Sequence, residues 1–548
     1  TAGTLTMTTT DNGSSSSDGI IGTLTPSFSL ASPSDTGYTG AGIASVVVQV
    51  STDDGSTWTT KGTSSSTSSP YAITLSGLTS QTTYQIQALV TDTAGNTSTT
   101  PLSTTSALVT VDTTAPTAGT VTMTSTDGGA SSSDGIVGTL TPSFALAVSG
   151  TSDGSYTGSG SNATGISSVV LQVSSDGGTT WVDNATFTAP SGGGTSYTVT
   201  AAALTSGTTY SVRALVTDLA TNTVTSALST TNGRITVDTT APTPGTLTMT
   251  STDTGSASND GIVNNATPAF SLSTATDTAY TGTGHPTAAI ASVVLEVSAD
   301  GGANWSTNAT FTAPTGSDTA YTVTASPALS TNTTYKIQAR VTDTAGNSAT
   351  TDLSTTSATI VVDTTTPTAG TLAIVETDGV TNDGVVKVTT PAFTVTSPAD
   401  TGYGAAAIWK VQLQVASGAS GGSFTDSGTA ATSLTSGAYA LTLGAQTPDG
   451  TYRVQAVTYD VAGNTSTTSP VTIAVDTTNP TAGTLTVNDS YGSTSDSIVK
   501  TRTPAFTLTG ASDSGYTSPS AASIASVQLQ VAPGASGGTF AEIGRAHV

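Results

Sequence analysis

The sequence predicts an all-β protein built as a tandem array of β-sandwich domains. Three observations carry this: a long-period internal repeat, short runs of alternating apolar residues, and turn residues at about 8–12-residue spacing. The repeat is marked by DTTAPT at 112–117 and 238–243, DTTTPT at 363–368 and DTTNPT at 476–481. Spacings of 126, 125 and 113 residues are too long for a solenoid turn or a propeller blade. They match one autonomous domain per period. At about 150 residues per domain, a chain of 548 residues holds roughly three to five such units.

Within the first unit, strands are expected near 3–9, 21–30, 43–50, 57–61, 71–76, 84–91 and 106–111. Two of them alternate cleanly. Val46, Val48 and Val50 share one face, with Val47 and Gln49 on the other; Tyr84, Ile86, Ala88 and Val90 oppose Gln85, Gln87 and Thr91. Seven short strands read as a sandwich, and no stretch carries a helical period. LTSQTTY at 78–84, LTSGTTY at 204–210 and LSTNTTY at 329–335 place Leu six residues before Tyr. This resembles the tyrosine corner of Ig-like and fibronectin III-like sandwiches, in which the Tyr hydroxyl bonds upstream backbone. The fourth unit keeps Tyr452 in GAQTPDGTY but lacks the Leu.

The DTT-x-PT segments are the boundaries. Pro116, Pro242, Pro367 and Pro480 each fix φ and remove a donor, so the crossings are expected to be short and stiff. The division is 1–111, 112–237, 238–362, 363–475 and a truncated fifth repeat at 476–541. The chain opens TAGTLT with no initiator Met and ends EIGRAHV, which matches the translation of a sequencing-adapter read. The expectation is therefore a fragment continuing in both directions, with residues 542–548 set aside as an artefact.

Composition excludes several classes. Lys+Arg number 11 against 35 Asp+Glu, a net charge of −24, so no nucleic-acid footprint exists, whereas cations would be attracted. Cys is absent, which rules out disulfides and thiolate metal sites. No apolar run approaches the ~20 residues of a membrane span.

STDDGSTW (51–58), SSDGGTTW (174–181) and SADGGANW (298–305) fit S-x-D-x-G-x-x-W, the Asp-box best known from sialidase propellers. The pattern specifies a hairpin turn with an aromatic plug. Sialidase chemistry needs clustered arginines, yet before the tail only Arg213, Arg234, Arg340, Arg453 and Arg502 occur, in different units. Phe424 and Phe540 replace the Trp in later repeats, where the Asp is lost. His285 is the one histidine before the tail, so no Ser–His–Asp set can be assembled and no enzyme is expected.

The recurring acidic positions are more informative. A loop between the first two strands carries Asp11 and Asp18, then Asp127 and Asp134, Asp253 and Asp260, Asp378 and Asp383, and Asp489 and Asp496. A second loop carries Asp35, Asp153, Asp277, Asp400 and Asp513, each three residues before a Tyr. A third reads TDTAGN (91–96), TDLATN (217–222), TDTAGN (342–347) and YDVAGN (459–464), supplying Asp218, Asn222, Asp343, Asn347, Asp460 and Asn464. The linkers add Asp112, Asp238, Asp363 and Asp476. Sandwich topology puts the second and third loops at one pole and the first loop at the other, where the last strand leaves. Linker Asp112 should then lie between Asp11/Asp18 of its own unit and Asp153, Asp218 and Asn222 of the next. Converging carboxylates and amides suit Ca²⁺, which takes six to eight oxygens at about 2.3–2.6 Å. The competing explanation is that Asp and Asn favour turns. That explanation is preferred for the D-x-A-G-N loop alone, and Ca²⁺ for the linker Asp and its neighbouring loops as a set.

VDTTAPT, D-x-A-G-N near the end of each unit and the alternating strands between them resemble the bacterial Ig-like repeats of giant surface adhesins, over residues 1–541. The resemblance implies an exported or cell-surface stalk, a monomeric extended rod stiffened by Ca²⁺, that presents a binding domain for a host or cell-surface ligand outside this stretch. Two rivals stand beside it: glycan-binding repeats using aromatics such as Tyr38 and Tyr156, and the accessory region of an extracellular enzyme.

Overall fold

The computed structural model describes residues 1–548 apart from 12–17, 37–41, 104–106, 126–133, 155–164, 192–193, 230–232, 254, 274, 278–289, 316–318, 355–357, 377–382, 403–407, 489–497, 514–523, 525, 535–537 and 548. Asp127, Asp378, Asp489, Asp496, His285, Tyr38 and Tyr156 lie outside the described residues. Among those described, regular structure is all strand.

The first repeat runs β1 (Thr4–Met7), β2 (Ile20–Ile21), β3 (Ser27–Ala31), β4 (Ile43–Ser51), β5 (Thr59–Thr63), β6 (Tyr71–Thr74), β7 (Thr82–Asp92), β8 (Thr97–Pro101) and β9 (Leu108–Val111). One sheet has the order β1-β3-β6; the other is β2-β9-β7-β4-β5, with β8 also on β7. The same two sheets recur at 121–237, 247–362 and 371–475. In the last stretch, 484–488 pairs with 505–509 and 526–531 with 541–547.

Two differences from the expected strands have physical causes. The single strand expected at 21–30 is two, because the chain changes sheets. Ile20 and Ile21 run parallel to Thr110 and Val111, whereas Ser27–Ala31 runs antiparallel to β1. Pro26, which cannot donate to a ladder, stands just before the second strand. The other difference is β8, TSTTP, which has no apolar alternation to announce it. It is a largely exposed ribbon held by pairing with β7.

Contacts divide the chain into two compact units, 1–245 with 275–293 and 340–350, and 246–274 with 294–339 and 351–548. In the first unit, Val46, Val48, Val50, Tyr84, Ile86, Ala88 and Val90 pack with Phe28, Leu30 and Ile73 in one buried cluster. Phe144, Leu146, Val169, Leu171, Tyr210 and Val212 do the same one repeat later. In the second unit, Phe393, Val395, Val411, Leu413, Tyr452 and Val454 form the corresponding core. Strand alternation thus becomes burial of one face from each sheet.

The tyrosines close the corner as expected. Thr79 N–H donates to the Tyr84 hydroxyl at 2.9 Å, Thr205 N–H to Tyr210 at 3.1 Å and Ser330 N–H to Tyr335 at 3.0 Å. In the fourth repeat, which lacks the Leu, the Tyr452 hydroxyl instead donates to the Pro448 carbonyl. Tyr210→Phe leaves the Thr205 N–H without its acceptor. It should cost about 1 kcal/mol, read as a lower urea midpoint with unchanged slope.

The S-x-D-x-G-x-x-W segments are turns. Asp53 accepts from Thr57 N–H at 2.8 Å, the Thr57 hydroxyl at 2.6 Å and the Ser51 hydroxyl at 2.7 Å, and these bonds, the Ser51 hydroxyl's first, hold its pKa down to about 2. Gly177 and Gly178, both at positive φ, make the matching turn before Trp181. The indoles are half-buried lids, not core residues. Trp181 lies under the Arg213 guanidinium, 4.0 Å from the ring centre.

Candidate metal centre

Three aspartate triads recur at the linkers: Asp112 with Asp153 and Asp218, Asp238 with Asp277 and Asp343, and Asp363 with Asp400 and Asp460. In each, one oxygen per carboxylate lies within 4.8 Å of the others, and all nine residues are buried. The first two triads lie wholly inside the first compact unit and the third inside the second.

The backbone builds each triad in the same way. The last strand of a repeat continues its parallel pairing for one residue, with Asp112 N–H donating to Ile21 O, Asp238 to Val137 O and Asp363 to Val263 O, each at 2.9 Å. Each linker carboxylate accepts the N–H two residues on, from Thr114, Thr240 or Thr365, in an Asx turn that aims its second oxygen inward. The D-x-A-G-N loop adds the third carboxylate. Asp218 accepts the backbone N–H of Ala220 and Asn222, both at 2.8 Å. The Asn222 amide nitrogen donates to Asp218 at 3.0 Å and to the Asp112 carbonyl at 3.0 Å. Asn347 reaches Asp238 O, and Asn464 reaches Asp363 O, at 2.9 Å each. The Asn amide nitrogen is thereby committed to clasping the linker backbone.

Burial and crowding set the electrostatics. Asp112 is pushed up to about 6, first by loss of solvent and then by the Asp153 and Asp218 carboxyls. Asp218, Asp238, Asp343, Asp363 and Asp460 are raised, with burial the leading cause and neighbouring carboxylates adding to it. Asp92 makes the same loop bonds, to Ala94 N–H, Asn96 N–H and the Asn96 amide, yet its pKa is lowered, chiefly by the Asn96 amide. Asp92 is half-buried, whereas Asp218 is fully buried.

The third triad holds the least satisfied oxygens. Asp363 is 0% and Asp400 7% exposed, and the Oδ2 atom of each is buried without a hydrogen-bond partner. Such oxygens are costly unless a cation or donor meets them. Gly402 makes room for them: a Cβ there would collide with both carboxylate oxygens of Asp363.

The other expected positions are placed elsewhere. Asp11 and Asp18 bond the N–H groups of Gly19 and Ile20, at 2.9 and 3.0 Å, inside their own loop. Asp253 and Asp260 do the same for Gly261 and Ile262, Asp134 for Ile136 and Asp383 for Val385. The sequence reading missed Glu376, which takes the position of Asp11 and Asp253 by accepting from Gly384 N–H at 2.9 Å. Its signal was the eight-residue spacing to that glycine. Asp476 bonds Thr478 N–H, and its pKa is raised by burial and then by Asp513.

Models of the bacterial Ig-like domain match residues 34–106 and 241–364, and a second such model matches 363–477, together more than half of the chain. A search of curated proteins returns no match. Among solved structures, a tetra-tandem repeat in the extending region of a large adhesion protein is 20% identical, with a TM-score of 0.28, over 87% of this chain and 99% of its own. The Escherichia coli adhesin FdeC is 16% identical, with a TM-score of 0.25, over 65% of this chain and 96% of its own. Fibronectin(III)-like modules of Clostridium thermocellum CbhA are 15% identical, with a TM-score of 0.23, over 43% and 94%.

Proposed function

Because the chain belongs to the bacterial Ig-like domain family, we propose that it is a non-enzymatic spacer from an exported or cell-surface adhesin, with joints stiffened by Ca²⁺. The observation that carries this reading is the linker triad, repeated three times with the same backbone geometry and with two partnerless buried oxygens at Asp363 and Asp400. Asp, a hard oxygen donor, suits Ca²⁺ better than a thiophilic metal. A triad supplies three ligands, and backbone carbonyls and water complete such a sphere. An ion there ties the linker to two loops of the following repeat. Without it, three carboxylates repel one another across the joint.

Calcium titration of the full chain by calorimetry should therefore reveal about three sites of similar affinity. Chelation should also change the solution-scattering profile, as joints loosen. Absence of calcium binding, together with identical scattering in calcium and in EDTA, defeats this proposal.

A further inference from the structure

We propose that the fourth repeat carries a binding site for an acidic glycan, one whose sugar rings bear carboxylates or sulfates, built from Trp409, Lys410 and Tyr459. All three residues lie in the second compact unit, and each is half-buried. Trp409 and Tyr459 meet edge to face with ring centres 6.1 Å apart. The Lys410 ammonium stands over both, 4.3 Å from the Trp409 ring centre and 4.5 Å from that of Tyr459. The sister repeats show that the fold does not require this cluster. Lys410 pairs with Tyr459 where Ser45 pairs with Thr91 and Ser168 with Thr217, and in each case the register slips just before the pair. The residue in that bulge is Trp409, Ala44 or Ser167. The third repeat has Ala291, Ser292 and Thr342 at the matching places. Small residues thus serve the same sandwich three times, and the fourth repeat exchanges them for two rings and a cation.

The chemistry of the cluster names its ligand. A lysine ammonium carries three donors. Among the described residues Lys410 makes no hydrogen bond or ion pair, whereas Lys61 donates to the Gly77 carbonyl at 2.8 Å. Two rings hold the Lys410 ammonium in place, so an anion meets a cation that is already ordered. The rings also offer an apolar surface for the C–H face of a pyranose, and an anionic group on that sugar then closes on Lys410 in a charge-assisted bond. Further along the same outward face, the Gln455 amide nitrogen donates to Gln414 at 2.9 Å and the Gln414 amide nitrogen to Asp426 at 2.8 Å. Each amide keeps a second N–H for sugar hydroxyls. From Lys410 to Gln414 the strand rises about 13 Å, a distance that a short oligosaccharide covers. A peptide strand finds no open edge here, because 408–417 pair with 450–460 on one side and Val411 is bridged to Ala431 on the other.

The test uses the full chain in EDTA, so that calcium cannot bridge acidic sugars to the aspartates. The probes are labelled tetragalacturonate, a sulfated galactan tetrasaccharide and its unsulfated counterpart. Anisotropy should show saturable binding of at least one acidic probe and weaker binding of the neutral one; the acidic probe that binds tells carboxylate from sulfate. The net charge of −24 opposes nonspecific attachment of either acidic probe. Lys410→Gln should weaken the binding about tenfold, as loss of one charge-assisted bond predicts. Trp409→Ala combined with Tyr459→Thr, the residues with which the third repeat already folds, should abolish it without changing the far-ultraviolet circular dichroism. No saturable binding of either acidic probe, equal binding of the neutral one, or undiminished binding by both variants overturns the proposal. Tighter binding of a polyglutamate peptide of equal charge also overturns it, because the partner is then an acidic peptide.

Discussion

Asp363→Asn should lower the melting temperature in excess Ca²⁺ and raise it in EDTA. The substitution keeps the shape of the side chain and its Oδ1 acceptor, which holds Thr365 N–H at 2.9 Å. What it removes is one of three negative charges, each with an oxygen within 4.8 Å of the others. With calcium present, losing that charge weakens the site. A ligand at about 100 times its dissociation constant stabilises by about 2.7 kcal/mol, so loss of one site costs up to that amount. In EDTA the sign reverses. At 4.8 Å two unit like charges repel by about 3.5 kcal/mol at an effective dielectric of about 20, and the amide relieves two such pairs. A purely structural aspartate, held for its turn bonds, predicts destabilisation in both buffers. Scanning calorimetry of the wild-type and variant chains in the two buffers therefore separates a cation site from a turn. A drop in both conditions rejects the cation site.

The parts of this architecture that were legible in the sequence are those fixed by periodicity. Val46, Val48 and Val50 announce a buried face by spacing alone, and the Leu–Tyr interval in LTSGTTY announces the corner that Tyr210 closes. The gathering of Asp112, Asp153 and Asp218 was legible because strand count decides which loops share a pole. Carboxylate direction was not. The loop holding Asp11 and Asp18 does reach the joint, since Ile20 packs against Leu219 and Ala220. Its carboxylates nevertheless turn back to Gly19 and Ile20 N–H, a choice made by backbone donors that residue spacing does not report. The β8 ribbon was invisible for a related reason. TSTTP buries nothing, so its pairing leaves no hydrophobic trace. The Asp92 and Asp218 loops read almost alike, TDTAGN and TDLATN, yet they carry opposite pKa shifts, because Asp218 is fully buried, with Asp153 beside it, whereas Asp92 is half-buried and held chiefly by the Asn96 amide.

That contrast yields a pH dependence whose sign differs between two sets of aspartates. A carboxyl raised by folding binds its proton more tightly in the folded state, so folding is favoured at acid pH and loses stability as pH rises through the shifted value. Asp112, raised from 3.8 to about 6, acts across the window from about pH 4 to about pH 6, and Asp218, Asp238, Asp343, Asp363 and Asp460 act in the same direction. The turn aspartates oppose it. Asp53, lowered to about 2, contributes stability that is present above about pH 4 and lost as pH falls towards 2. The calcium-free chain should therefore melt at its highest temperature near about pH 4–5 and at a lower one at neutral pH. Calcium competes with protons for the ionised triads, so the bound chain should lose this acid maximum and stay stable at neutral pH. Melting curves at several pH values, with and without EDTA, test the claim. A calcium-free profile that rises monotonically from pH 4 to pH 7 would show that the triads are not under charge strain, and the case for a cation at the joints would fall with it.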